Sequence, residues 1–149
     1  MRRNEFQLIV NFGDTDKAGI VFYPNYFKWF DIASHQLFRR IGLPMSELES
    51  KQNIILPILD VRGSFENPLY YDDIITIKTM VAEIHRKTIR FEHEVFRGDV
   101  RTGYGYEVRG WVKRTEDGIS AVPIPDDVKG ILMLDKLSES NQLNPWVSA

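Results

Sequence analysis

Two carboxylates lie in a loop bounded by glycines near the start of the chain. Asp14 and Asp16 fall between Gly13 and Gly19, directly before a long segment with helical periodicity. A carboxylate can act on a carbonyl as a general base or as a nucleophile. The first backbone N–H groups of a helix are unpaired and carry partial positive charge, so they can stabilise a developing oxyanion. The pattern therefore indicates acyl chemistry at the start of a helix.

A thioester is the acyl compound that needs the least from such a site. Its leaving thiolate has a pKa near ~8.5 and departs with little acid assistance. Pro24 suits the first turn of the helix because it needs no N–H partner there, and Gly19 lets the loop approach the helix start. Asp16 is the candidate reactive carboxylate, although aspartate is also common as a plain turn residue in such loops. For Asp14 we predict a structural role, with its side chain accepting hydrogen bonds from loop amides.

Composition and charge exclude several classes of function. The chain has no cysteine, which excludes disulfides, cysteine nucleophiles and thiolate metal sites. Its formal net charge of −2 gives no general attraction to nucleic acid or to an anionic membrane surface, so neither is an expected partner. The three histidines lack metal-ligand spacing, and no metal site is predicted. We interpret His93 as a core histidine. The N-terminus has no apolar run typical of a signal peptide, and we expect a cytoplasmic protein.

The periodicity predicts one long helix and several strands. Phe6–Phe12 alternates as a half-buried strand with Phe12 on its apolar side, and Tyr26–Ile41 is apolar around most of a helix. A further helical turn is expected at Ser46–Ser50 and a short helix from Asp126. The remaining predicted strands are Ile54–Phe65, Ile74–Ile84, Thr88–Arg97, Tyr104–Lys113 and Ile119–Val122.

This order of elements predicts an α+β fold in which a curved antiparallel sheet wraps one long central helix. We expect a single domain over residues 1–149, with 137–149 as a mobile tail. A small sheet of this kind leaves strand edges exposed. Pairing the sheets of two copies would cover an edge and form a groove, so a homodimer or homotetramer is expected.

The stretch from Gly13 to Tyr26 carries a specific resemblance. It contains the pattern Asp-x-x-Gly-x-Val-x-Tyr, which begins at Asp16 and ends at Tyr23. This stretch resembles the 4-hydroxybenzoyl-CoA thioesterase family, whose members have the hotdog fold. The similarity extends over roughly Glu5 to Val128, most of the chain.

The resemblance implies roles for individual residues. It implies that Asp16 is the catalytic carboxylate, as nucleophile or general base, and that the backbone N–H of Tyr23 polarises the thioester carbonyl. No cofactor is implied, since coenzyme A is part of the substrate. Taken from the sequence alone, Asp31 could equally be a plain helix residue, and the two basic residues could be a solvated hairpin tip. The substrate-binding residues that the resemblance implies are Phe22, Tyr26, Asp31, Pro57, Arg86 and Lys87.

The expected activity is hydrolysis of an aromatic acyl-CoA, such as 4-hydroxybenzoyl-CoA or benzoyl-CoA, to the free acid and coenzyme A. One alternative keeps the reaction but changes the substrate to a short-chain acyl-CoA or an acyl carrier protein. An alternative of another class is a non-catalytic hotdog protein that binds acyl-CoA. A buried carboxylate without a function costs stability, so Asp16 favours the enzyme.

Overall fold

A computed structural model describes residues 1–135 of the 149-residue chain. Three α-helices and eight β-strands make up this part, together with one 3₁₀ turn at Phe12–Asp14. The helices are α1 (Pro24–Arg40), α2 (Met45–Gln52) and α3 (Asp126–Met133). The strands are β1 (Arg3–Ile9), β2 (Ile54–Ile55), β3 (Ile58–Phe65), β4 (Ile74–Ile84), β5 (Thr88–Arg97), β6 (Val100–Gly110), β7 (Val112–Thr115) and β8 (Gly118–Ala121).

The main sheet has five antiparallel strands in the order β1-β4-β5-β6-β3. Alternate residues of β4 and β5 point to the inner face, where α1 covers them. Trp29, Phe30 and Leu37 of α1 are fully buried against this face. The short strands form a second sheet in the order β2-β7-β8. The arrangement is the α+β fold predicted from the sequence, with one long helix on a curved antiparallel sheet.

Glycines on β3 and β6 let α1 lie unusually close to the sheet. A Cβ atom at Gly103 would lie 2.6 Å from the ring of Tyr26, and one at Gly63 would lie 3.1 Å from the ring of Phe27. At Gly105 it would lie 2.8 Å from the ring of Phe30. The aromatic rings of the helix thus occupy the space that side chains on these strands would fill.

Two sequence predictions about the strands are wrong in detail. The first strand ends at Ile9, and Phe12 begins the 3₁₀ turn with 76% of its surface exposed rather than buried. Asp14 closes this turn because its N–H donates to the Asn11 carbonyl. The predicted strand Tyr104–Lys113 is in fact two strands, which part at Trp111 and enter different sheets. The N–H of Trp111 still donates to the Lys87 carbonyl, one pair beyond the β5–β6 ladder, while its own carbonyl accepts from the Val122 N–H next to the small sheet.

Other predicted bounds agree closely with the structure. Strands β4 and β5 have the predicted limits, and α1 begins two residues earlier than expected because Pro24 opens its first turn. The segment predicted as one strand from Ile54 is interrupted at Leu56 and Pro57. The mobile tail predicted for residues 137–149 lies outside the described residues. Among residues 1–135, no helix is both long and apolar enough to span a membrane.

One edge of the main sheet is apolar and uncovered. Strand β3 pairs on one side with β6 and forms the end of the strand order. Its side chains are largely exposed, among them Leu59, Val61 and Phe65. An exposed apolar edge strand is a template for pairing with another chain.

The close approach of α1 predicts a large cost for a side chain at Gly105. We expect Gly105→Ala to lower the free energy of unfolding by about 2 kcal/mol or more, because the methyl group would meet the Phe30 ring and the Arg62 carbonyl oxygen. Urea unfolding monitored by tryptophan fluorescence measures the effect. Gly130→Ala is the control, since it lies in α3 with open space around it and should gain up to ~1 kcal/mol. Equal stability of the two variants would contradict the close packing.

Candidate active site

Asp14 organises the loop between β1 and α1. Its Oδ2 accepts a hydrogen bond from the Asn11 N–H at 2.8 Å. Its carbonyl oxygen accepts from the Phe22 N–H at 2.9 Å and from the Asn25 side-chain amide at 2.8 Å. The residue is buried. It thus holds the loop and the helix start together, which is the structural role predicted for it.

Asp16 lies at the tip of a tight hairpin that Asp14 anchors. Its N–H donates to the Ile20 carbonyl at 3.0 Å, and its carbonyl accepts from the Gly19 N–H at 2.9 Å. Gly19 has φ +80°, a conformation that favours glycine. The Asp16 carboxylate is exposed, so the sequence prediction that it is buried, and that the cost of its burial favours the enzyme, is wrong. Its Oδ1 accepts a hydrogen bond from the Ala18 N–H at 2.8 Å. One carboxylate oxygen is therefore held in place by the backbone, in an orientation that the hairpin fixes.

The helix start next to this hairpin has a free donor. The N–H of Val21 donates to Leu69 and that of Phe22 to Asp14, each through a backbone carbonyl. For the next N–H, that of Tyr23, residues 1–135 provide no hydrogen-bond acceptor. Pro24, which follows, has no N–H group at all. The Tyr23 N–H is consequently available to a ligand at the positive end of α1.

Aromatic side chains surround the helix start. The rings of Phe22 and Tyr23 meet edge to face at 5.4 Å, and Phe65 of β3 lies 6.0 Å from Tyr23 and 4.9 Å from Tyr26. A cleft of about 270 Å³ opens among Tyr23, Tyr26 and Phe65, and Ile20 of the Asp16 hairpin also lines it. The exposed rings give this cleft flat apolar walls.

Tyr26 forms the floor of the cleft rather than a free hydrogen-bonding group. Its ring is buried, and its hydroxyl is 3.2 Å from Thr102 Oγ1. Burial raises the pKa of Tyr26 above its usual value, although the hydrogen bond to Thr102 and the charge of Arg97 oppose part of this effect. The residue therefore contributes an apolar surface in its neutral form.

The other predicted substrate-binding residues lie away from Asp16 in the same chain. Arg86 and Lys87 follow β4, whereas the Asp16 hairpin packs beside the segment that precedes β4. The eleven residues of β4 separate these two ends by on the order of 30 Å. Pro57 lies at the Arg86 end, where its carbonyl accepts from the Gly110 N–H. A single chain therefore does not bring all of the predicted residues together.

Asp31 lies on α1, two turns beyond its start, and forms an ion pair. Its Oδ1 is 2.6 Å from Nη2 of Arg109 and 3.4 Å from Nδ1 of His35. The side chain of Asp31 is 47% exposed, while that of Arg109 is 5% exposed. Asp31 is thus a half-exposed carboxylate that is paired with a buried arginine, and it is not a plain solvated helix residue.

A buried polar network links α1 to the sheet. His93 stacks on Phe30 at 4.7 Å between ring centres, and its two nitrogens lie 2.8 Å from Thr79 Oγ1 and 2.8 Å from Glu107 Oε1. The Ser34 hydroxyl also donates to Glu107 Oε1. Every side chain of this group is almost fully buried. His93 is thus a hydrogen-bonded core residue, as the sequence indicated.

Glu107 is the centre of this network. Burial alone would raise the pKa of Glu107, but the hydrogen bond from His93 and the attraction of His93 and Arg109 outweigh burial, so the net shift lowers that pKa. Nη2 of Arg109 is 2.8 Å from Glu107 Oε2. Glu107 is therefore an ionised group in the core that joins the His93 cluster to Arg109 and Asp31.

A larger cavity, about 790 Å³, lies elsewhere. It opens on the sheet face turned away from α1 and is lined by charged and aromatic side chains such as Arg62, Arg90 and Tyr106. No residue of the Asp16 hairpin or of the helix start lines it. We place the candidate site at Asp16 because the carboxylate and the free Tyr23 N–H lie there. The size of a cavity does not by itself indicate a catalytic site.

Comparison with known proteins agrees with this assignment. Residues 10–132 match the family model described as the thioesterase-like superfamily. The chain belongs to the thioesterase-like superfamily. A 4-hydroxybenzoyl-CoA thioesterase from Pseudomonas sp. (strain CBS-3) is 35% identical over 125 residues, which cover 79% of this chain and 89% of that protein. The resemblance to that enzyme's family, predicted from the sequence, is confirmed.

Solved structures give the same result. A gentisyl-coenzyme A thioesterase superposes with a TM-score of 0.76 at 38% identity, covering 86% of this chain and 98% of that one. The 4-hydroxybenzoyl CoA thioesterase from Pseudomonas sp. strain CBS-3 superposes with a TM-score of 0.80 at 32% identity, covering 88% and 99%. These matches confirm the hotdog fold, and this member of the superfamily is a thioester hydrolase.

Sequence reasoning missed Glu107 and Arg109 in this thioesterase. Both are charged residues two positions apart on a strand, which is the usual pattern of a solvent-facing side. The one local signal was the pair of glycines, Gly103 and Gly105, which lie on the same face of β6 and mark it as the face that another element approaches closely.

The buried network of this thioesterase predicts a pH-dependent contribution of Glu107 to stability. At pH 7, we expect Glu107→Gln to lower the free energy of unfolding by about 3 kcal/mol, because it leaves buried partners without their counter-charge. The pKa of Glu107 is lowered from 4.5 on folding, so its contribution is complete above about pH 4.5 and is lost as the pH falls through the folded-state pKa.

Urea unfolding of both proteins from pH 7 to pH 3 measures this difference, which should narrow below about pH 4.5. Glu94→Gln is the matched control, since Glu94 pairs with Arg101 on the surface and should contribute no more than ~1 kcal/mol. A difference between wild type and Glu107→Gln that stays constant over the whole range would contradict the ionised state of Glu107.

Proposed function

We propose that this protein hydrolyses the thioester of a hydroxylated aromatic acyl-CoA, releasing the free acid and coenzyme A. The observation that carries this proposal is the unpaired Tyr23 N–H beside the Asp16 hairpin, at the mouth of a cleft with aromatic walls. The general activity, acyl-CoA thioester hydrolysis, follows from the family of the chain and from the thioesterases that it resembles.

The reaction needs an attacking oxygen and a polarised carbonyl. Asp16 either attacks the carbonyl carbon itself, forming a mixed anhydride that water then hydrolyses, or removes a proton from the water that attacks the carbonyl. The N–H of Tyr23, at the positive end of α1, donates a hydrogen bond to the carbonyl oxygen as negative charge develops there. Because the Asp16 hairpin and the helix start are joined through Asp14, these two groups keep a fixed relation. The thiolate of coenzyme A then leaves without a strong acid.

The aromatic and hydroxylated character of the acyl group rests on the cleft and on the relatives. Exposed rings of Phe22, Tyr23 and Phe65 offer flat surfaces on which an aryl group packs well. The names of two similar proteins denote hydroxylated benzoyl groups, 4-hydroxybenzoyl and gentisyl. A ring hydroxyl needs a hydrogen-bond partner when it leaves water, and Asp31 is the half-exposed carboxylate that we assign to this role.

The complete site requires a second copy of the chain. Asp16 and Tyr23 lie at one end of the sheet, while Pro57 and Lys87 lie at the other, on the order of 30 Å away. Two β3 strands paired antiparallel around a two-fold axis would bring the Pro57 end of one copy to the Asp16 end of the other. Coenzyme A would then lie across the boundary, with its phosphates held by Arg86 and Lys87 of the partner subunit.

Removal of the Asp16 carboxylate tests the reaction. We expect Asp16→Ala to lower kcat for 4-hydroxybenzoyl-CoA by about 10²–10⁴-fold without lowering the melting temperature, because the exposed side chain contributes to chemistry and little to folding. The measurement is coenzyme A release from a panel with benzoyl, 4-hydroxybenzoyl, gentisyl, phenylacetyl, short-chain and medium-chain acyl groups.

Two comparisons make this test specific. Asp99→Ala changes an aspartate in the exposed turn between β5 and β6 and should leave turnover unchanged. Fastest release with an unsubstituted or aliphatic member would contradict the hydroxylated aromatic substrate and keep the reaction. No release from any member would overturn the acyl-CoA substrate in favour of an acyl carrier protein or a non-catalytic binder.

The assembly predicts that β3 is needed for both association and activity. We expect Val61→Asp to convert a dimer or tetramer into monomers and to abolish turnover, because a charge on the apolar edge opposes pairing and the site is then incomplete. Sedimentation velocity at micromolar concentration measures the first effect. Ile119→Asp, at an even more exposed strand residue on β8, is the control. Dissociation caused by Ile119→Asp instead would place the interface at the small sheet.

A further inference from the structure

We propose that Arg109 is a positioning residue that sets the preference of the enzyme for hydroxylated over unsubstituted aromatic acyl groups. It does so by fixing the Asp31 carboxylate as a hydrogen-bond acceptor for a ring hydroxyl. The inference rests on the function proposed above and concerns a residue outside the Asp16 hairpin and the helix start.

Arg109 joins three separate parts of the chain. Its Nη1 donates to the Leu56 carbonyl at 2.9 Å, directly before Pro57. Its Nη2 donates to Asp31 Oδ1 on α1 at 2.6 Å and to Glu107 Oε2 on β6 at 2.8 Å. The side chain is 5% exposed. One rigid guanidinium therefore holds the helix, the segment before β3 and its own strand in a fixed relation.

The charge of Arg109 does not by itself require Asp31. Glu107 already supplies a buried carboxylate in direct contact with the guanidinium. Asp31 adds a second carboxylate to the same cation, and its side chain is half exposed whereas Glu107 is fully buried. Asp31 is thus a second negative charge that the buried Arg109 holds on one side while its other side faces solvent. This arrangement is expected of a carboxylate that binds a ligand.

Among residues 1–135, the contacts of the Asp31 carboxylate leave one of its oxygens for that ligand. The contacts with Arg109 and His35 both use Oδ1. The carboxylate can therefore present Oδ2 as an acceptor whose direction is set by the Arg109 fork. Asp31 follows Phe27 by four residues on α1, and Phe27 packs against Gly63 and Phe65 of the β3 edge. Asp31 thus lies on the side of the helix where the proposed second copy would complete the pocket.

Selectivity follows from this placement. When a substrate ring binds, it displaces the water that solvates Asp31 Oδ2. The hydroxyl of a hydroxylated ring donates to Oδ2 and so replaces the hydrogen bond of that water. An unsubstituted ring displaces the water and gives no donor in return, so its binding is penalised. If Arg109 no longer holds Asp31, the carboxylate can turn toward solvent and the penalty disappears together with the preference.

Kinetics of Arg109→Lys test the proposal. A lysine keeps the positive charge beside Glu107 but lacks the planar fork that reaches Asp31 and Leu56 at once. We expect the ratio of kcat/KM for 4-hydroxybenzoyl-CoA to that for benzoyl-CoA to fall about tenfold, because the hydroxylated substrate loses a fixed acceptor and the penalty on benzoyl-CoA is relieved. Arg114→Lys is the control, because this exposed arginine pairs with Glu49 on the surface, and its replacement should leave the ratio unchanged.

A double-mutant cycle distinguishes positioning from a general structural role. If Arg109 acts through Asp31, the ratio for Asp31→Asn/Arg109→Lys should equal that for Asp31→Asn alone. Independent losses that multiply would overturn the proposal. Should the lysine variant fail to fold, Arg109→Gln leaves Glu107 with its Ser34 and His93 partners, keeps a neutral side-chain donor on the same strand, and should show the same fall in the ratio.

The outcomes separate this proposal from the proposed function. A wild-type enzyme that hydrolyses both substrates without preference contradicts the hydroxylated substrate and the role of Arg109 together. A wild-type enzyme with a preference that persists in the folded Arg109 variants contradicts only the role of Arg109. A preference that falls in these variants and does not fall further in the double variant supports both.

Discussion

The close approach of α1 to the sheet is the constraint on which the rest of the structure depends. Gly63, Gly103 and Gly105 have no side chains to hold the helix away, so the rings of Tyr26, Phe27 and Phe30 take their place. Since these rings sit in fixed positions on β3 and β6, the helix cannot slide or rotate. Its start is therefore held beside the Asp16 hairpin, and its third turn is held over Glu107 and Arg109.

This approach also explains why a charged network is tolerated in the core. Phe30 stacks on His93 and seals it from water, while the next turn of the helix brings the Ser34 hydroxyl to Glu107. Removing a carboxylate from water is costly unless its lone pairs find donors. Glu107 receives donors from Ser34, His93 and Arg109, which is enough to lower its pKa despite burial. The packing that excludes water thus also supplies the hydrogen bonds that replace it.

Most of the fold can be predicted from the sequence because the apolar and polar residues of most elements alternate according to which side is buried. Strand β4 alternates Ile75, Ile77 and Val81 with polar residues, and the structure buries those three. Strand β6 does the opposite: its tyrosines face outward, while Glu107 and Arg109 face inward. Alternation alone would give the reverse orientation, because the partners that satisfy these charges lie on α1 and β5, far away in the sequence.

The candidate site divides along the same line. Asp16 and Tyr23 are seven residues apart, so a local turn and a helix start suffice to bring their region together, and the sequence could indicate it. The other end of the sheet carries Pro57, Arg86 and Lys87. These residues come together because of the order of the strands, which cannot be predicted from hydrophobic periodicity. Phe12 was misplaced for a related reason, since a hydrogen bond from Asn11 to the Asp14 side chain ends the strand where apolar alternation continues.

The distribution of apolar surface connects the two ends of the sheet. The exposed rings at the helix start and the exposed apolar side chains of β3 are part of the exposed apolar surface of one copy. A substrate that occupied only the aromatic cleft would leave β3 bare, and a partner that covered only β3 would leave the cleft open. In the proposed assembly, antiparallel pairing of two copies along β3 would cover the edge and would also bring Arg86 and Lys87 of the partner subunit to the cleft. The contact that removes the edge from water would then be the contact that completes the pocket, which would give one physical reason for both features.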